Sequence, residues 1–133
     1  MDNLTGLCEA SPSPSNPMLA DASLTFNCTE QFTMFRKAVH FCDAATSVCI
    51  MASSDPKEQK KLGSSVGEFS DSRWSCVKEK VVVQGNCYKF SQNARLKEAL
   101  LATGERELCE ASRRDRVWEI GYRADEAERY REF

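Results

Sequence analysis

Apolar positions in this chain recur mostly at helical rather than strand spacing. Phe32, Phe35, Val39 and Cys42, widened by Met34, Ala38 and Phe41, form a stripe broad enough to be largely buried. Asn27 stands before it as a capping residue, with Glu30 placed to reach back to the capping amide. Residues 43–52, with apolar Ala44, Ala45, Val48 and Met51, predict a second helix or a continuation of the first beyond a bend. Ser54-Asp55-Pro56 supplies a cap and a first-turn proline for a short charged helix over 57–62, stopped by Gly63. Asp71-Ser72 opens a long helix carrying Trp74, Val77, Val81 and Tyr88 and ending near Phe90 despite Gly85. Asn93 caps a further helix with Leu96, Leu100 and Leu101, closed by Gly104. Residues 108–111 and 116–120 read as short extended segments, and 125–133 as helix. Residues 1–22 hold Pro12, Pro14 and Pro17 among serines and show neither period, so they predict an irregular arm. The resulting fold class is α+β: a mostly helical single domain over 23–133 with a small sheet.

Composition narrows the function more than the fold. With 133 residues, two separate cores would each be too small to bury enough apolar surface. A net charge of -2 gives no overall basic field for nucleic acid or an anionic membrane, so an anionic ligand must be held locally. Seven scattered cysteines without a C-x-x-C pair read as thiols, and a lone histidine makes a zinc site improbable. No metal or cofactor is expected. No apolar run reaches the roughly 20 residues of a membrane span, and residues 1–10 lack a signal-peptide pattern. An intracellular, cytoplasmic protein is the expectation, with no membrane partner.

Four ordered blocks carry a family resemblance. They are Phe26-Asn27-Cys28-Thr29-Glu30-Gln31-Phe32 running into Phe35-Arg36-Lys37-Ala38; Asp55-Pro56-Lys57-Glu58 with Lys61-Leu62-Gly63 and then Trp74; Lys89-Phe90-Ser91-Gln92-Asn93 with Leu100-Leu101-Ala102-Thr103-Gly104; and Glu110-Ala111-Ser112 with Asp115, Trp118, Ile120 and Gly121. Together they resemble the YbiA-like (NADAR) family of N-glycosidases across about residues 26–121. The chain departs from the family at Arg113, where proline is usual, and at Glu119, where glycine is usual. It lacks the family's early aromatic-Ser-Asn-aromatic element, and its last helix is expected to be truncated.

The resemblance implies hydrolysis of a base–ribose bond. The implied substrate is a phosphorylated riboside of riboflavin biosynthesis or an ADP-ribosylated guanine, so the expected partner is a phosphorylated riboside, an ADP-ribose-like ligand or ADP-ribosylated nucleic acid. A catalytically degenerate protein that binds such a ligand, or an interaction protein, is the alternative. Cleaving this bond builds positive charge on the sugar and leaves a base that needs a proton, which two acidic groups can serve. Glu30 and Asp115 match the family's acidic positions and are the expected catalytic pair. Lys37 matches its basic position, two turns from Glu30 on one face. Trp74 and Trp118 match aromatic positions, while Arg36 and Asn93 complete the expected binding set. Each has a plainer reading: Glu30 and Asn93 as helix-capping residues, Lys37 as a solvated lysine, the tryptophans as core anchors, and Asp115 as part of an ion-pair cluster with Arg113, Arg114 and Arg116.

Overall fold

A computed structural model describes residues 24–109. The chain divides into two units, Met1–Ala102 and Thr103–Phe133. The described part of the first holds six helices: α1 (Thr29–His40), α2 (Ala44–Ala52), α3 (Pro56–Ser64), α4 (Asp71–Ser75), α5 (Lys78–Gln92) and α6 (Ala94–Leu101). No strand forms among the described residues. The arm expected at 1–22, the extended segment at 116–120 and the helix at 125–133 lie outside them, as does half of the segment at 108–111.

Helix α1 is the centre, with α2, α3 and α5 packed on it. Most of its stripe is buried as the spacing predicts: Phe32, Phe35, Ala38 and Val39 enter a core with Phe26, Phe41, Ile50, Val66, Trp74 and Val81, whereas Cys42, beyond the end of α1 with φ 58°, is exposed. Phe26 meets Phe32 and Phe35 edge-on at 5.2 and 5.4 Å, and Phe32 meets Tyr88 at 5.8 Å, the geometry aromatic quadrupoles favour.

The entry to α1 differs from the expected capping box. The cap is Cys28, whose Sγ accepts from the Gln31 amide at 3.4 Å, and Gln31 rather than Glu30 reaches back, its Oε1 accepting from Asn27 N at 2.7 Å. Glu30 is thereby freed from the capping role. At α2, Asp43 caps through Thr46 N and also accepts from Gly67 N at 2.9 Å. These backbone bonds stabilise the ionised form and hold the Asp43 carboxyl below the usual range.

Three other elements depart from their patterns. Helix α2 buries Ser47 and Ile50, while Ala44, Ala45 and Val48 face outward. Helix α3 runs through Gly63, which is buried against Met34 instead of ending the helix. The long helix expected from Asp71 is two helices, because Val77 leaves helical geometry at φ -123° and the chain restarts at Lys78. Gly85 belongs inside α5 for a steric reason: a Cβ there would lie 2.7 Å from Phe32 Cδ1 and 3.2 Å from Thr29 Cγ2. In the second unit Gly104 adopts the left-handed conformation expected of it, φ 61°.

Candidate functional site

Residues on α1 advance about 100° each, so its neighbours sort its side chains into sectors. Toward α5 point Thr29 and Phe32, both against Gly85, and Arg36, whose guanidinium donates to Gln84 Oε1 at 3.2 Å. Toward α3 point Met34, against Gly63, and Lys37, whose Nζ donates to Gly63 O at 2.7 Å. Glu30 precedes Met34 by one turn and shares that side. Thr33 lies between the sectors, half-buried, with its hydroxyl returned to Thr29 O at 2.9 Å.

This arrangement puts Glu30 and Lys37 on one side of α1, separated by about 10 Å along the axis. Burial pushes the Glu30 carboxyl above the usual carboxylate range, and the charge of Lys60 on α3 opposes the rise. Burial likewise lowers Lys37, against the influence of Asp71. The Lys37 ammonium also stands 4.1 Å from the centre of the Phe69 ring. Lys37 is therefore not the freely solvated lysine of its plainer reading.

The other expected site residues are placed differently. Arg36 faces α5, its guanidinium 5.7 Å from the Phe32 ring centre, so it and Lys37 occupy different sectors. Trp74 is 8% exposed and sits in the core 6.1 Å from the His40 ring, a packing position and not an open stacking face. His40 is held below its ordinary value by burial and then by the nearby charges of Arg73 and Arg36. Asn93 stands at the junction of α5 and α6, but its amide donates to Lys89 O at 2.7 Å and does not cap α6. The neighbouring Gln92 keeps a buried Oε1 without a partner. Asp115 and Trp118 lie outside the described residues.

Several residues that position this side escaped the sequence reading. Gln59 is 0% exposed; its Nε2 donates to Ser53 O at 2.7 Å and Asn27 Oδ1 at 3.2 Å, and its Oε1 accepts from Cys28 Sγ at 3.2 Å. Gln31 Nε2 donates to Ile50 O and Ser53 O, both at 3.1 Å. Two buried amides thus tie the start of α1 to the end of α2 and to α3, fixing the backbone that carries Glu30. No periodic signal marks a buried glutamine, and Lys60 is concealed among Lys57 and Lys61. Among the described residues no group of His, Cys, Asp and Glu could hold a metal ion. No described helix is long and apolar enough to cross a membrane.

The NADAR domain model matches residues 5–133, and the chain belongs to that family. It is 40% identical over 98 residues to N-glycosidase R617 of Acanthamoeba polyphaga mimivirus, covering 74% of this chain and 58% of the relative. It is 32% identical over 92 residues to N-glycosidase Npun_R5314 of Nostoc punctiforme, covering 69% of this chain and 59% of the relative. Protein irg-1 of Caenorhabditis elegans is 32% identical over 100 residues, 74% of this chain and 47% of that protein. The chain thus spans between about half and three-fifths of the length of these curated relatives.

Proposed function

We propose that this chain is an N-glycosidase that hydrolyses a base–ribose bond in a phosphorylated riboside or in an ADP-ribosylated guanine. Two relatives bear the name N-glycosidase, and each is matched over more than two-thirds of this chain. The observation that carries the reading is Glu30: a half-buried carboxyl, free of a capping role, whose burial favours the protonated form. Such a group suits a general acid. As the C–N bond breaks, its electron pair leaves with the base, which takes the Glu30 proton. Water then adds to the ribosyl cation and returns a proton to the carboxylate. From the family resemblance we assign Asp115 to stabilising the cation, Lys37 to anchoring phosphate and Trp118 and Asn93 to substrate binding, while Arg36, turned to Gln84 on α5, is left out of this set. Trp74 supports the site from the core.

The test is release of free base from a phosphorylated riboside and from ADP-ribosylated guanine, with wild type and Glu30→Gln. The expected loss in the variant is about a hundredfold or more. Equal rates would remove Glu30 from the mechanism. A second reading, binding without turnover, is favoured by Arg113 and Glu119, which stand on either side of Asp115 where the family usually has proline and glycine. Calorimetric heat with ADP-ribose or ribose 5-phosphate, without base release by the wild type, would select it.

A further inference from the structure

We propose that Lys60 is a positioning residue for the Glu30 carboxyl, stabilising the carboxylate that forms when Glu30 gives its proton to the departing base. The inference rests on the glycosidase reading above. Its geometric basis is the register of α1 and α3. Gln59 meets Asn27 and Cys28 at the start of α1, and Gly63 meets Met34 and Lys37 about two turns on, so the two helices run in the same direction. Lys60 follows Gln59 and precedes Gly63 by one turn, which sets it level with Glu30. By the same count Lys60 lies on the flank of the seam, roughly 80° from the α1-facing direction midway between Gln59 and Gly63, while Lys57 and Lys61 lie farther round, roughly 140° and 180° from it.

The chemistry requires an opposing cation. Burial makes Glu30 a willing holder of its proton but a reluctant carboxylate, and after the transfer the negative charge must persist until water returns a proton. Lys60 is exposed, and its charge opposes the rise that burial gives Glu30. An exposed ammonium keeps its own hydration, so it can favour the transient carboxylate without fixing Glu30 in a closed ion pair.

Lys60→Met tests this, and because the side chain is exposed the variant should fold as the wild type does. Expected are a fall in kcat of about tenfold, a KM little changed, and an alkaline limb of the pH profile moved to higher pH. Lys60→Arg should restore most of the rate, and Lys61→Met, an equal loss of charge on another face, should change nothing. Carbon-detected NMR titration of the glutamate side chains, with Glu30 assigned from Glu30→Gln, gives a readout independent of turnover: Glu30 should bind its proton more tightly in Lys60→Met. An unmoved Glu30 titration, or base release with the wild-type pH profile in Lys60→Met, overturns the proposal while the glycosidase reading stands. A wild-type chain that releases no base overturns that reading, and the role of Lys60 falls with it.

Discussion

The two seams on α1 are built from opposite materials. Against α5 the contact is apolar and close: Phe32 stands over Gly85 and meets Tyr88 edge-on, and the polar link is at the rim, Arg36 to Gln84. Against α3 the contact runs through polar groups: the Gln59 amide, the Cys28 thiol and the Lys37 ammonium on a backbone carbonyl. The first seam gains stability from buried area and is sensitive to volume. The second fixes the position of charged groups, because each hydrogen bond specifies a distance and a direction that van der Waals contact does not.

The comparison breaks most visibly at Phe32. Phe32→Ala should destabilise by about 3–5 kcal/mol, since the ring is buried and the neighbouring helix has only a glycine there to fill the space. Urea unfolding followed by circular dichroism measures it. A loss below about 1 kcal/mol would mean that α5 does not rely on this seam. Gln59→Leu is the matching probe on the polar side. It keeps the volume but leaves the Cys28 thiol without its acceptor and removes one donor each from Ser53 O and Asn27 Oδ1. About 1–3 kcal/mol is expected, less than for Phe32→Ala because Ser53 O still accepts from Gln31 and Asn27 is part-exposed. Unchanged stability would show that the amide network does not hold α1 to α3.

Legibility in the sequence followed the same division. The aromatic stripe of α1 and the Asp55-Pro56 start of α3 were readable because periodicity and capping are local signals. The outward face of α2 was not. Val48 is 66% exposed where its pattern predicts burial, because short helices rich in small residues offer nearly equivalent faces and tertiary contacts decide between them. Gly63 and Gly85 read as a stop and a weakness, yet both permit close packing on α1, which no single-helix pattern reveals. At the site, Glu30 and Lys37 were found through family resemblance and helical spacing, whereas Gln31, Gln59 and Lys60 act across helices and leave no mark in their own segment. The breadth of the family match explains why the assignment was readable while the supporting network was not: ordered blocks identify a lineage, and buried amides must be seen in contact.

The smallest expected effect distinguishes what Glu30 does for folding from what it does for chemistry. A carboxyl whose folded-state pKa is raised binds its proton more tightly folded than unfolded, so the stability it supports is fully present below the unfolded value, about 4.3. That stability is lost as pH climbs through the folded value, and above it the ionised, half-buried carboxylate opposes folding. Glutamine cannot ionise. Glu30→Gln should therefore match the wild type in unfolding midpoint near pH 4 and become the more stable of the two at pH 7 to 8, while losing base release. A variant less stable than the wild type at pH 8 would mean that the attraction to Lys60 outweighs desolvation, making Glu30 a partner in a structural ion pair. The opposite changes in stability and activity are what a carboxyl kept against the interest of the fold produces, and they separate it from the amides beside it, whose removal weakens the fold directly.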